Sequence, residues 1–361
     1  MKHTLSAGLA LGVACLAGVA AAAVTTIQDV PARLVNARVD ARSVPSGLEQ
    51  AFRGLVAARQ AAGWIGYAVR AVPGERRMCD GGFDSHYGTT HLEPRERTGV
   101  ASARAGKVSL EGPQDILVLF RAEAGRVQKI RVLSPDCEID ASGLPVQWLT
   151  QVDPAESVAL LSTFVTASPR AKGEPSVDAA ITAIALHHGP AASRALDRFV
   201  GPGQPPKVRK QAAFWLGAGR GREGFQALTR LVHDADAAFR KELAFPISVS
   251  REPEAVDTLI AMAREDESAE VRRQAMFWVG QKAGKRAVEA LAGAIDHDPD
   301  TDVKKRAVFA LSQMPKDEGV PRLIDVARTH RNGEVRKQAM FWLGQSNDPR
   351  ALKFFEEILK K

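Results

Sequence analysis

The chain has 361 residues, of which 45% are hydrophobic, 25% are charged and only 6% are aromatic, and its formal net charge is +7. This composition is ordinary for a globular protein and excludes a chain too polar to bury a core. Length alone predicts about two to three domains. No segment after residue 23 is apolar enough to span a membrane.

The first 23 residues have the pattern of an export signal. Lys2 and His3 precede the apolar stretch "LSAGLALGVACLAGVAAAA", and cleavage after Ala23 would fit the A-x-A rule. One alternative is a retained membrane anchor, although the stretch is barely long enough and is rich in Ala and Gly. A lipoprotein at Cys15 is less favoured, because the preceding "GVA" lacks the usual Leu. We expect residues 1–23 to be a signal peptide and the mature protein to be periplasmic or secreted, with no membrane span after signal removal.

Removal of this leader would leave two cysteines, Cys79 and Cys137. An even pair in an oxidising compartment predicts a disulfide, and the alternative is two free thiols, which would be unusual outside the cytosol. The loop that begins at Cys79 also contains ligand-type residues: Asp80, Asp84, His86, His91 and Glu93. The spacing C-x₆-H-x₄-H matches no strong zinc template, so we predict neither a metal nor a cofactor.

Residues 24–150 predict a small α+β domain, and residues 24–165 carry 16 basic and 16 acidic side chains. "RLVNARVDAR" (33–42) and "GWIGYAVRAV" (63–72) are typical of strands, and "GLEQAFRGLVAARQ" (47–60) is typical of a helix. "DILVLFRAEAGRVQKIRVL" (115–133) predicts a hairpin that turns at residues 123–125.

A helix over 153–165 is predicted to cap a second domain, residues 151–361. Asp153 is placed to cap this helix, Pro154 takes its first position, and Glu156 has capping-box spacing. The stretch "SPRAKGEPS" (168–176) then resembles a linker.

From residue 177 to the end, the chain repeats a two-helix unit. Equivalent residues at spacings of 31 or 32 open the first helix of each copy: Val177, Val208, Phe239, Val271, Val303 and Val335. A second apolar helix follows, with Leu259, Leu291 and Leu323 in the same register. Because two short helices cannot bury an apolar face alone, neighbouring copies must stack into a solenoid.

The unit resembles the short HEAT-like repeat, the variety also found in phycobilin lyases. The pattern "D-x-x-V-[RK]-x-x-A-x-x-x-[LV]-G" followed by "A-V-x-x-L" is carried by Val271, Arg272, Ala275, Val279, Gly280, Val288 and Leu291. The resemblance covers roughly 177–361 and implies a solenoid that binds other macromolecules. An exported protein would not share the chromophore supply of the lyases, so only the fold is carried over. The expected fold class is mainly α: a right-handed α-solenoid of about six HEAT-like repeats, preceded by the small α+β domain.

Two copies depart from the pattern. Pro246 lies inside the first helix of the third copy and should kink or end that helix. In the first copy "HHGP" replaces the usual Gly turn, and we predict that His187 and His188 lie in a surface turn.

The string "RKQAMFWLGQ" (336–345) recurs as "RRQAMFWVGQ" (272–281) and "RKQAAFWLGA" (209–218). On an ideal helix Trp342 shares the buried stripe of Val335, whereas Phe341 lies on its flank. Large and smaller residues alternate at this position along the copies: Ile184, Trp215, Pro246, Trp278, Ala310 and Trp342. Such alternation favours interdigitated packing, so we interpret the tryptophans as core residues rather than as an aromatic ladder for a ligand.

A pair of cations recurs once per copy and defines a candidate binding ridge: Arg209, Lys210, Arg240, Lys241, Arg272, Arg273, Lys304, Lys305, Arg336 and Lys337. Stacking would align these residues into a surface for a polyanion, such as nucleic acid or an anionic envelope polymer. Export argues against genomic DNA. The favoured alternative is a solvated helix face whose arginines pair with carboxylates of the turns between repeats.

No P-loop, dinucleotide-binding, serine-hydrolase, zinc-protease or EF-hand string is present, and the His-Glu dipeptides of HEAT-like di-iron hydroxylases are missing. We therefore predict a non-enzymatic, exported protein that binds or scaffolds another protein along its solenoid. The alternative is polyanion binding along the ridge. An enzyme with its site in the N-terminal domain is a third hypothesis, for which no reaction is indicated.

Overall fold

The computed structural model describes residues 31, 33–74, 78–79, 89–94, 114–166, 177–282 and 284–360. The predicted signal peptide, the predicted linker 168–176 and the loop residues Asp80, Asp84 and His86 lie outside the described residues. Among the described residues, no helix is both long enough and apolar enough to cross a membrane.

In the residues that the structure describes, the N-terminal part contains one helix and two sheets. Its elements are β1 (Leu34–Val35), β2 (Arg38–Ser43), α1 (Leu48–Ala58), β3 (Gly63–Arg70), β4 (Thr89–His91), β5 (Asp115–Glu123), β6 (Arg126–Leu133), β7 (Glu138–Asp140) and β8 (Pro145–Thr150). A five-stranded sheet has the order β2-β8-β3-β5-β6, and a three-stranded sheet has the order β1-β7-β4.

The predicted helix and hairpin are confirmed, whereas the strand predicted over 33–42 is divided. Asn36 has a φ of 50° and moves the chain from the small sheet to the large one, so β1 and β2 belong to different sheets. The hairpin of β5 and β6 is antiparallel and turns at Ala124 and Gly125, whose φ values are 50° and 71°. Two successive residues with positive φ match the twist of the flanking strands.

The large sheet is covered on both faces. One face, with Ile65, Tyr67 and Phe120, belongs to a buried core that continues without a break into the helices that follow. The other face packs Trp64 and Trp148 in a second core, shared with the small sheet. The N-terminal domain and the helical part are therefore joined by a common apolar core.

The helical part begins with α2 (Pro154–Thr166), as predicted. Asp153 Oδ1 accepts hydrogen bonds from the backbone N–H groups of Ala155 at 2.8 Å and Glu156 at 2.9 Å, which confirms the cap. The capping-box role predicted for Glu156 is wrong. Its carboxylate instead accepts from the backbone N–H groups of Gly47 at 3.0 Å and Leu48 at 2.8 Å, and so caps α1 of the other domain.

Twelve helices form six consecutive pairs. They are α3 (Val177–Leu186), α4 (Pro190–Val200), α5 (Pro206–Gly219), α6 (Gly221–Leu231), α7 (Ala237–Val249), α8 (Ala255–Glu265), α9 (Ala269–Gly280), α10 (Lys285–His297), α11 (Thr301–Ser312), α12 (Lys316–Thr329), α13 (Gly333–Gln345) and α14 (Pro349–Leu359). Each first helix packs against the first helices of the neighbouring pairs, as a solenoid requires. The six predicted repeats are confirmed.

Pro246 does not end α7, which runs on to Val249. Only three helical residues follow Pro246, which is less than one full turn. The backbone hydrogen bond that the proline cannot make is therefore missing close to the end of the helix.

Candidate interaction surface

The first cation of each repeated pair binds the turns between repeats. Arg240 Nε and Nη2 donate to the two carboxylate oxygens of Asp266 at 2.8 and 3.0 Å, and Arg272 binds Asp298 at the same two distances. Each arginine also donates to a carbonyl of the preceding turn: Arg240 to Asp234 at 2.7 Å and Arg272 to Asp266 at 2.9 Å. The hydrogen bonds to aspartate raise the pKa of both arginines. Both side chains are buried and join the turns on either side of their repeat.

Arg209 has the same role one repeat earlier. Its Nη2 donates to Asp234 at 2.7 Å, its Nε donates to the carbonyl of Val200 at 2.9 Å, and its guanidinium carbon lies 3.5 Å from the ring centre of Phe239. In the last two copies the cations are half-buried and bind carbonyls: Lys304 that of Asp296 and Arg336 that of His330. The predicted pairing of arginines with turn carboxylates is thus present at Arg209, Arg240 and Arg272. In these three residues of the candidate ridge the guanidinium group is engaged in contacts within the solenoid.

The second cation of each pair lies further out, and we call this set the outer cations: Lys210, Lys241, Arg273, Lys305 and Lys337. Three have carboxylate partners at short distances: Lys210 and Glu242 at 2.6 Å, Lys305 and Asp302 at 2.9 Å, and Lys337 and Glu334 at 3.2 Å. Arg273 forms an ion pair with Glu270. The candidate ridge therefore alternates positive and negative charge.

Beside the outer cations runs a continuous line of aromatic rings, which we call the aromatic row. In order of contact its members are Trp215, Phe214, Phe245, Trp278, Phe277, Phe309, Trp342 and Phe341. Ring centres of successive members lie between 4.9 and 6.3 Å apart, so eight rings in contact cross the five first helices from α5 to α13. Arg306 lies over the row, with its guanidinium carbon 5.9 Å from the ring centre of Phe277 and 5.6 Å from that of Phe309. Such distances are typical of cation–π contacts.

The interpretation of the tryptophans as core residues holds fully for Trp215, which is 3% exposed. Trp278 and Trp342 lie at the edge of the core and are half-buried. The row reaches solvent at Phe245, which is 37% exposed, and at Phe341, which is 55% exposed. The tryptophans thus fill the core from one side and contribute to a half-open aromatic surface on the other.

Small residues allow the first helices to approach closely. A Cβ atom added to Gly217 would lie 2.1 Å from the carbonyl oxygen of Pro246, and one added to Gly280 would lie 2.6 Å from Cβ of Ala310. The alternation of large and small residues seen in the sequence therefore corresponds to close helix contacts, and these contacts bring rings of neighbouring repeats together.

Sequence reasoning placed Phe341 on the flank of its helix but missed the row. A signal was present, since Phe recurs at 214, 245, 277, 309 and 341, always four residues after an outer cation. Residues four apart share one helix face, so a continuous mixed surface could have been predicted.

His187 and His188 were both predicted to lie in a surface turn. His188 is exposed, but the prediction for His187 is wrong. His187 is fully buried, its Nε2 lies 2.8 Å from Oγ of Ser157, and the hydroxyl of Tyr67 lies 2.7 Å from the same Oγ. Burial lowers the pKa of His187 to about 4 and raises that of Tyr67. A serine beside a histidine is the arrangement of an activated nucleophile. Here all three side chains are enclosed, and they hold β3, α2 and the end of α3 together.

Of the ligand-type residues considered for zinc, the structure describes Cys79, His91 and Glu93. Cys79 and Cys137 form a disulfide with their Cα atoms 5.5 Å apart, a usual separation for such a bond. His91 Nδ1 lies 3.3 Å from a carboxylate oxygen of Asp140. Glu93 accepts hydrogen bonds from Trp64 Nε1 and Arg121 Nε, both at 3.0 Å. The described members of the set thus serve separate local contacts.

Comparison with known proteins bears on the solenoid. A family model described as HEAT repeats matches residues 195–278, 256–321 and 288–361. No curated protein matches the chain.

Three solved structures illustrate the range of similarity. The CpcE–CpcF complex of phycocyanin lyase from Nostoc sp. PCC7120 is 23% identical, with a TM-score of 0.33 over 42% of this chain and 98% of that chain. Human deoxyhypusine hydroxylase is 15% identical, with a TM-score of 0.27 over 56% of this chain and 90% of that chain. A designed armadillo repeat protein in complex with the peptide (KR)4 is 19% identical, with a TM-score of 0.30 over 54% and 100%.

The family match and the helix pairs agree on the nature of the C-terminal part. The matched segments together span 195–361, and the described residues there continue the helix pairs that begin at α3. The C-terminal part of the chain is therefore a solenoid of six two-helix, HEAT-like repeats, and a mixed-sheet domain precedes it.

Proposed function

We propose that the protein is an exported, non-enzymatic scaffold that binds another protein along its aromatic row. The observation that carries the proposal is the row itself, eight rings in contact on five successive helices with Phe245 and Phe341 open to solvent. Exposed apolar strips bordered by polar residues mark interaction sites. Because a solenoid presents the same element at regular intervals, the row suits an extended segment of a partner.

The border of the row indicates the chemistry of that segment. Each phenylalanine of the row follows an outer cation by four residues, so rings and positive charges run side by side. Aromatic residues and complementary charge give interfaces their anchors and their specificity. The surface therefore fits a protein segment that carries both apolar and acidic side chains.

The charge pattern favours a protein over a polyanion. Four of the five outer cations already have a carboxylate partner. These carboxylates would repel a polyanion, which would have to displace them from the cations. Polyanion affinity depends mainly on uncompensated positive charge. The rings, by contrast, offer contact area that does not depend on charge.

Export and the lack of catalysis are part of the same proposal. The leader-like residues 1–23 support export, and the pair Cys79 and Cys137 suits an oxidising compartment. The buried Ser157 and His187 offer no surface on which a substrate could bind.

Site-specific photo-crosslinking in the expressing cell tests the proposal. A photoreactive amino acid replaces Phe245 or Phe341 in the full chain, and a matched control replaces Leu352 on α14, which is 63% exposed and outside the row. We expect the two row positions to capture the same protein and the control position not to capture it. Capture from Leu352 alone, or none at the row, contradicts the proposal.

The captured protein is then purified and its affinity measured. We expect the double variant Phe245→Ala/Phe341→Ala to bind at least about tenfold more weakly, because exposed aromatic anchors dominate such interfaces. Unchanged affinity would count against the row. Retention of the protein on heparin or DNA above about 0.3 M salt would favour polyanion binding instead.

A further inference from the structure

The strand β2 has an outer side on which the structure describes no partner strand. It forms one edge of the five-stranded sheet, and in the described part of the chain it pairs only with β8. All six of its residues are exposed, including Val39 at 38%. An exposed edge strand presents unpaired backbone groups to which another strand can add.

The hydrogen bonds of β2 show which backbone groups face outward. Val44 N–H donates to the carbonyl of Thr150 at 2.9 Å, and the carbonyl of Asp40 accepts from the side chain of Gln147 at 2.9 Å. Successive residues of a strand direct their backbone N–H and C=O groups to opposite sides. The backbone groups of the even-numbered residues of β2 therefore point toward β8. Val39, Ala41 and Ser43 therefore offer their N–H and C=O groups at the open edge.

The side chains of β2 select a partner. The even-numbered residues alternate in charge as Arg38, Asp40 and Arg42. Opposite charges on directly paired residues stabilise an antiparallel sheet, and like charges destabilise it. An edge that carried one sign of charge would repel a second copy, whereas an alternating edge can complement itself.

Only certain registers of such a self-pairing satisfy the charges. When Ala41 pairs with Ala41 of the partner subunit, Asp40 lies opposite Arg42 of the partner subunit, and the symmetric pair forms on the other side. The same register pairs Val39 with Ser43 of the partner subunit. In a register shifted so that Asp40 lies opposite Asp40 of the partner subunit, Arg38 lies opposite Arg42 of the partner subunit. Like charges then meet at every charged position.

We infer that two copies of this chain associate through antiparallel pairing of their β2 strands, with the two-fold axis at Ala41. The two five-stranded sheets become one continuous sheet, as a closed two-fold dimer allows. This association is independent of the proposed function. It would place two aromatic rows in one assembly and so make the scaffold bivalent.

Charge exchange tests the register. Mass is measured by light scattering across a concentration series for the full mature chain and for Asp40→Arg, Arg42→Asp and the double variant Asp40→Arg/Arg42→Asp. We expect a concentration-dependent dimer, at least a tenfold weaker dimer in each single variant, and recovery in the double variant, which restores opposite charges. Glu49→Arg on α1 makes the same change of charge as Asp40→Arg at an exposed residue outside β2 and should leave the dimer intact.

Cross-linking tests the position of the axis. Ala41→Cys places two thiols at a directly paired position, where Cα atoms lie about 5.5 Å apart, which is within reach of a disulfide. We expect this single variant to form a covalent dimer on mild oxidation, and Val35→Cys, exposed but outside β2, to form much less. A monomer at every concentration, a dimer that tolerates Asp40→Arg, or a double variant that does not recover overturns the inference. Circular dichroism and thermal unfolding confirm that each variant is folded.

Discussion

Ser157 and His187 lie 2.8 Å apart, Oγ to Nε2, where the N-terminal sheet meets the helices. The other ring nitrogen of the histidine lies 2.7 Å from the carbonyl of Ala183. With a neutral imidazole protonated at Nδ1, every polar group is satisfied: Nδ1–H donates to Ala183, Ser157 donates to Nε2, and Tyr67 donates to Ser157. A protonated imidazole would direct a second N–H at Ser157 and add a buried positive charge near Arg220.

The first prediction concerns stability against pH. Burial, with a smaller contribution from the charge of Arg220, holds the pKa of His187 at about 4 in the folded protein, against 6.5 in the unfolded chain. Above pH 6.5 the neutral ring makes its full contribution to the unfolding free energy. As the pH falls from 6.5 to 4, His187 takes up a proton in the unfolded chain but not in the folded protein, so this contribution is lost. Each pH unit costs about 1.4 kcal/mol, so the total loss is about 3 kcal/mol. Urea unfolding at pH 7 and pH 4.5 measures most of it.

A matched pair of variants isolates the contribution of His187. His187→Gln removes the titrating group, so its unfolding free energy should depend less steeply on pH in this interval than that of the wild type. His188→Gln removes the exposed neighbour and should keep the wild-type dependence. Equal slopes in all three proteins would show that another group controls the effect.

The second prediction concerns the buried ion pair of Arg272 and Asp298. Asp298→Ala leaves a buried guanidinium without its carboxylate, and such a change costs about 3–5 kcal/mol. Glu334→Ala breaks the exposed pair with Lys337, and its effect on the unfolding free energy should be close to zero. Urea unfolding compares the two variants. Similar losses in both would mean that burial does not govern these pairs.

The repeats and the turns were predictable because their causes are local in sequence. A spacing of 31 or 32 residues fixed the helix pairs, and the cap at Asp153 depends on residues two and three positions away. The contacts that were missed join distant residues. Glu156 caps a helix more than a hundred residues earlier, and His187 is buried by Ser157 and Tyr67 from two other elements.

The aromatic row lay between these two cases. The position of each ring on its helix followed from the helical period, as the flank position of Phe341 showed. Contact between rings of successive repeats depends on how closely the first helices approach, and this distance is set by Gly217, Gly280 and the residues they face. A single sequence shows the period but not the distance.

The third prediction separates the two ends of the aromatic row. Trp215 is 3% exposed, so Trp215→Ala should lower the unfolding free energy by about 3–5 kcal/mol. Phe341 is 55% exposed, and Phe341→Ala should change it by less than about 1 kcal/mol. Urea unfolding measures both losses. A large loss at Phe341 would show that this ring supports the fold and would weaken its assignment to a binding surface.

The fourth prediction uses three glycines that follow a Trp at the same position of their repeats. Gly217 and Gly280 each face a neighbouring first helix at a distance that a Cβ atom cannot occupy, whereas nothing lies within 4 Å of the position at Gly344. Gly217→Ala and Gly280→Ala should therefore lower the unfolding free energy by about 1–3 kcal/mol or more, because the helices must separate. Gly344→Ala should leave it unchanged or raise it by up to about 1 kcal/mol, since Ala favours a helix over Gly. Urea unfolding of the three variants measures these changes. If the unfolding free energy changes equally in all three variants, helix propensity governs this position. The explanation of the aromatic row by a close approach of the first helices would then be wrong.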